Sequence, residues 1–283
     1  MPPRSTPTER QRRLGAELRR LRLAAEASTE FAAGLLGIDR SKVANIEGGV
    51  RVITPERVRT LACNYECRDG SYVEALVEMA EDRGQDWWHV YRGQLPAGLL
   101  DIAELEWHAR RLRLILSVHV PGLLQTDAYA RTLFAASLPA MSRSEVELRV
   151  AMRMQRQQVL HREHPVLYEA YVHEAALRMQ FGGNKVMRAQ LEQLNDASEA
   201  ENVRLQVIPF SVGAFPSAGQ SVTYADGAVP QLDTVMLDSA HGPEFTHAQA
   251  QLDKYSAHLE WMTSSALPPA ESRDLIRSIT RSF

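Results

Sequence analysis

The sequence predicts two domains: an all-α helix-turn-helix head over residues 11–68 and an α+β domain with about five strands over residues 95–283, joined by a connecting helix within 69–94. Three observations predict this. Several short helical segments with a glycine turn between the second and third crowd the start of the chain. Further on, stretches of period two alternate with stretches of helical period. Charge divides at the same place: residues 1–68 hold 13 Lys/Arg and 8 Asp/Glu, whereas residues 69–283 hold 19 and 27.

The totals are ordinary for a folded protein. Of 283 residues, 45% are apolar and 24% charged, and the net charge is −3. No run of about 18 apolar residues predicts a membrane helix. The N-terminal "MPPRSTPTERQRR" lacks the apolar core of a secretory signal. Two cysteines, Cys63 and Cys67, make no disulfide framework, so a reduced, cytoplasmic protein is expected, with Cys63 a small buried side chain. The acidic total does not keep the basic head from a polyanion, because exposed charges beyond about 8–10 Å are largely screened.

The head reads as follows. Leu14, Leu18, Leu21 and Ala25 form one apolar stripe of a first helix beginning at Gln11. Ser28 or Thr29 suits the N-cap of a second helix, with Glu30 in its first turn and Ala32, Ala33 and Leu36 facing inward. Gly37 permits the turn that ends it. Asp39 is the candidate N-cap of a third helix over 40–47, stopped by Gly48-Gly49. Thr54-Pro55 opens a fourth, whose inward stripe is Val58, Leu61, Ala62 and Tyr65.

On the third helix, Val43 and Ile46 share the inward face, while Ser41 and Asn45 lie opposite and Arg40 sits at the N-terminal end. In helix-turn-helix motifs, that end of the second motif helix reaches base edges in the major groove of DNA. Arg matches guanine, Asn matches adenine and Ser suits either. The segments "LGAELRRLR", "STEFAAGLLGIDRSKVANIEGG" and "TPERVRTLA" resemble the Xre (λ-repressor-like) family. That resemblance implies that Arg40, Ser41 and Asn45 face bases, and that the Thr29 position caps the second helix and holds a phosphate. Thr here is shorter than the Gln usual in the family. Glu47 would pair with Arg22 as an architectural ion pair. Ser28, Thr29, Lys42 and Arg51 are the candidate phosphate contacts.

In the rest of the chain, Val73, Leu76, Val77 and Ala80 mark a helix within 71–92. Strands are expected at 113–120, with Leu114, Leu116, Val118 and Val120 on one face, and at 166–172, 203–210, "SVTY" and "LDTVML". Helices are expected after Pro121-Gly122, at 142–163, within "GGNKVMRAQLEQLNDASEAE", and at 245–265 and 270–280. "DWWHVYRGQLP", "VPGLLQTDAYAR", "EAALRMQFGG" and "RLQVIPF" resemble the C-terminal domain of actinobacterial WhiJ-like regulators. The resemblance implies a transcription regulator, often encoded beside a small partner protein.

No GxSxG, HExxH or P-loop occurs, and His161 and His164 in "HREH" lack a third ligand, so neither an enzyme nor a metal or cofactor site is expected. Leu123 and Leu124 read as core plugs beside a Pro-Gly turn, while a ligand or partner loop stays open for "VPGLLQT", and with it the role of Gln125. The leading expectation is a homodimeric, sequence-specific binder of double-stranded DNA. An antitoxin-like module for a small neighbour-encoded protein comes second, and a small-molecule receptor third.

Overall fold

A computed structural model describes residues 7–81, 86–216, 219–239 and 241–283. The chain forms two compact units, Met1–Val90 and Tyr91–Phe283.

Among the described residues, the first unit forms five α-helices: α1 (Glu9–Ala24), α2 (Thr29–Leu36), α3 (Arg40–Glu47), α4 (Pro55–Asn64) and α5 (Gly70–Glu81). Thr8 opens α1 with a reciprocal capping box: its hydroxyl accepts from the Gln11 amide, and the Gln11 side chain accepts from the Thr8 amide. Ser28, not Thr29, caps α2; its Oγ accepts from the Phe31 amide at 3.0 Å, and Thr29 is already the first helical residue. Gly37 ends α2 in the left-handed region at φ +60°. Leu14, Leu18, Leu36, Val43, Ile46, Val58 and Leu61 are buried together in this unit. Cys63 is exposed rather than buried, because it lies on the side of α4 away from the inward stripe.

Two contacts fix α3 against α1. Arg22 donates from Nε to Glu47 Oε1 at 2.6 Å and from Nη2 to Oε2 at 2.8 Å, and both side chains are about nine-tenths buried. Nη1 of the same guanidinium donates to the Ala27 carbonyl, tying in the turn before α2. The backbones also meet directly. A Cβ on Gly15 would lie 2.5 Å from the Ile46 carbonyl oxygen, and one on Gly49, at φ +72°, would lie 2.7 Å from the Arg12 Cα. Only glycine allows that approach.

The helix expected within 71–92 is described over Gly70–Glu81; residues 82–85 lie outside the described residues, and Trp87–Tyr91 is a 3-10 turn. Trp88 is buried and Trp87 half-buried, their rings edge-to-face with centroids 5.5 Å apart. α5 is no free connector. It packs on α4 and α1, and the Tyr72 hydroxyl donates to the buried Glu17 carboxylate at 2.5 Å. Glu17 also takes Arg13 at 3.0 Å and Arg20 at 2.8 Å. Burial, and Glu17 beside it, push the Tyr72 pKa well above the usual phenol range.

The second unit is α+β, as expected, and among the described residues its strands number six: β1 (Arg111–Leu116), β2 (Leu167–His173), β3 (Val203–Ile208), β4 (Val222–Asp226), β5 (Thr234–Ser239) and β6 (Gly242–Thr246). They form one mixed sheet in the order β3-β2-β1-β4-β5-β6, with the β3-β2-β1 pairs parallel and the rest antiparallel. The helices are α6 (Ala97–His108), α7 (Asp127–Ala135), α8 (Arg143–Arg156), α9 (Glu174–Arg178), α10 (Asn184–Ala197), α11 (Gln249–Ser265) and α12 (Pro269–Thr280). Both sheet faces are covered. Leu112, Leu114 and Leu116 of β1 join Tyr129, Leu191, Leu194 and Ile276 in one core, and Ile115 joins Leu252, Leu259 and Met262 in the other.

Several boundaries differ from the sequence reading. β1 begins two residues early and stops at Leu116; Ser117–His119 bend away, and Val118 is exposed. α8 ends at Arg156 and a 3-10 turn continues to Leu160, so His161 and His164 sit exposed in a turn, not on a helix. The helix expected from 245 starts at Gln249, because Gly242–Thr246 pairs with β5. Leu123 and Leu124 are buried core residues. The backbone around them is held by three glutamines. Gln125 Nε2 donates to the Val120 carbonyl, Gln157 Nε2 to the Gln125 carbonyl and Gln190 Nε2 to the Leu124 carbonyl.

Removing Glu47 strands a buried guanidinium. Glu47→Ala is expected to lower the unfolding free energy of the head by about 3–5 kcal/mol, read from urea melts followed by circular dichroism. The double variant Arg22→Met/Glu47→Leu should recover most of the loss. A drop no larger than that of an exposed pair, under about 1 kcal/mol, would contradict the architectural role.

Candidate nucleic-acid interface

The third helix presents two unlike faces. Val43 and Ile46 are buried, while Arg40, Ser41, Ala44 and Asn45 are exposed. Asp39 stands at the N-cap position with extended backbone, but its side chain makes no capping bond. Its carboxylate instead takes Lys42 Nζ at 2.8 Å. That lysine, and its own backbone amide, hold the Asp39 pKa below the ordinary carboxylate value.

Arg40 is paired too. Its Nη1 meets the Glu30 carboxylate across the turn between α2 and α3, and both side chains are more than half exposed. Glu30 sits in the first turn of α2, where its own backbone amide, then the Thr29 hydroxyl at 3.1 Å, then Arg40 hold its pKa down. The carboxylate is therefore charged at neutral pH. Both cations of the exposed α3 face have an acidic partner within the head, and both pairs are open to water. Such exposed pairs contribute little stability and exchange partners readily.

The remaining positions cluster around this face. Ser28 is exposed, with its hydroxyl committed to the α2 cap, and Thr29 is half-buried. Arg51 is exposed beyond the C-terminal end of α3, where its amide donates to the Asn45 carbonyl at 3.0 Å. Arg22 and Glu47 lie behind the face, as the pair that anchors the end of α3. In the sequence Glu30 and Asp39 read only as helix-start residues; their pairing with Arg40 and Lys42 is a finding of the structure. The spacing of Asp39 and Lys42 is a legible signal for one pair, whereas Glu30 and Arg40 meet only through the turn.

Among the described residues, no group of three or more His, Cys, Asp or Glu side chains is placed to hold a metal ion. No described helix is long and apolar enough to cross a membrane.

Comparison with known families divides the chain in the same way. A family described as a helix-turn-helix domain matches residues 13–76, a span that takes in most of α5. A family described as a domain of unknown function, DUF5753, matches residues 99–278. No curated protein and no solved structure matches the chain. The second match covers more than half of the sequence, and the protein belongs to the DUF5753 family, carrying that domain behind a helix-turn-helix domain.

Proposed function

We propose that the protein is a transcription regulator that binds double-stranded DNA sequence-specifically, with α3 in the major groove. The observation that carries this reading is the divided third helix: Val43 and Ile46 hold it down, while Arg40, Ser41 and Asn45 stand in solvent along one side. Those three are the base-reading residues, and Ser28, Thr29, Lys42 and Arg51 are the phosphate contacts. The helix-turn-helix match and the basic balance of residues 1–68 support it.

The protein acts as a homodimer in this reading. A recognition helix of eight residues offers little area, and specific protein–DNA complexes usually bury about 1,000–2,500 Å² of protein surface. Two heads would read half-sites about 34–36 Å apart, one turn of the duplex.

Selection of random duplexes by the purified protein, followed by sequencing, tests the proposal: a two-fold symmetric motif is expected, and no motif at any salt concentration would sink it. Arg40→Ala should cost about 1–3 kcal/mol and relax preference at one base pair. A loss uniform over all sequences would make Arg40 a phosphate contact instead. Lys42→Ala should weaken binding evenly and reduce the salt slope, by less than the value of about 1 expected for an unpaired cation. Glu30→Gln frees Arg40 and removes an anion from the binding face, so tighter binding is expected in a gel-shift titration. Weaker binding would mean that Glu30 positions Arg40 rather than competing for it.

A further inference from the structure

Arg153, on α8 of the second unit, is half-buried and has no carboxylate at ion-pair distance among the described residues. Glu106, whose charge acts on it, is already taken. Arg156, one turn further on, holds Glu106 in a buried bidentate pair, Nε to Oε2 at 2.8 Å and Nη2 to Oε1 at 2.5 Å. The Arg153 guanidinium makes one hydrogen bond, from Nη1 to Gln125 Oε1 at 2.7 Å. Its Nε is buried without a partner. Burial, and then the positive charge of Arg156, lower its pKa to about 10, which leaves it charged at neutral pH.

A cation left unpaired in such a place is costly unless something supplies the opposite charge. The surroundings look built around it. Gly122 leaves room for it, since a Cβ there would lie 3.1 Å from Nη1. The Phe134 ring lies beside it, with Cζ 5.1 Å from the centroid. His119 lies within its electrostatic reach and also has a buried, unpartnered nitrogen, Nδ1. The His119 ring packs on Phe181 at 4.8 Å, and Phe181 on Tyr129 at 5.8 Å. Asp238, the other charge acting on both groups, is exposed and makes no ion pair with either.

We propose that Arg153 and His119 form a binding site for a small molecule carrying a carboxylate on a flat apolar body. The planar guanidinium fork matches a carboxylate in two-point contact. His119 adds a second polar contact, and the half-buried Phe134 and Phe181 rings supply apolar walls. The site goes beyond the DNA-binding reading and is tested without DNA, so its failure would leave that reading untouched.

The test is thermal unfolding of the full chain with increasing sodium benzoate, against inorganic phosphate and sodium chloride at matched ionic strength. A saturable rise in midpoint is expected with benzoate alone. Arg153→Met should need at least about tenfold more benzoate for the same rise. If that variant does not fold, Arg153→Lys, which keeps the charge and loses the fork, should still weaken the response several-fold. An equal response in parent and variant, or none in either, would overturn the site. Phosphate acting as strongly as benzoate would overturn the assignment to an apolar carboxylate.

Discussion

The bidentate contact between Arg22 and Glu47 holds the last turn of α3 against α1, and the exposed face of α3 depends on it. It does not act alone. Gly15 and Gly49 let the two backbones approach until any side chain would collide with a carbonyl or a Cα. Charge and close approach pin the same end of the helix. The other end is left to Asp39 and the α2–α3 turn, where both side-chain ion pairs are open to water. The result is a helix with a fixed base and an adaptable tip, and the tip carries Arg40 and Ser41.

The second unit solves a different problem. Its sheet is covered on both faces, so the connection between β1 and α7 must cross apolar surface without stranding its backbone polar groups. Three glutamine side chains meet that need, accepting or donating along residues 120–126. Leu123 and Leu124 can then fill the core while the carbonyls beside them remain bonded. Arg153 enters the same network through Gln125, which ties its guanidinium to the arrangement of that segment.

The head was legible in the sequence because its signals are local. Caps, a glycine turn and a stripe of period 3.6 lie within each helix, and the exposed face of α3 follows from the same step. The body was less so. β1 is buried on both sides at its end, so Ile115 interrupts the alternation of "RLRLIL", and the apparent period runs on falsely through Val118. α6 buries Asp101, Glu104 and Glu106 along with Ile102 and Ala103, which hides its inward face from any reading by hydrophobicity. β6, "GPEFT", is a short edge strand with neither pattern. Within the candidate site, residue types and positions could be read. The partners could not, since Glu30 and Arg40 lie ten residues apart and meet only once the turn is folded.

The two acidic partners on the α3 face bear on how association would respond to ions. A bare cation that meets a phosphate simply displaces counterions from the duplex. In the proposed complex Arg40 and Lys42 would have to leave Glu30 and Asp39, and each abandoned carboxylate would then attract a cation from solution. Part of the release is cancelled by uptake. Binding through this face would depend on salt less steeply than its number of phosphate contacts implies, so a count of contacts taken from the salt slope would fall short.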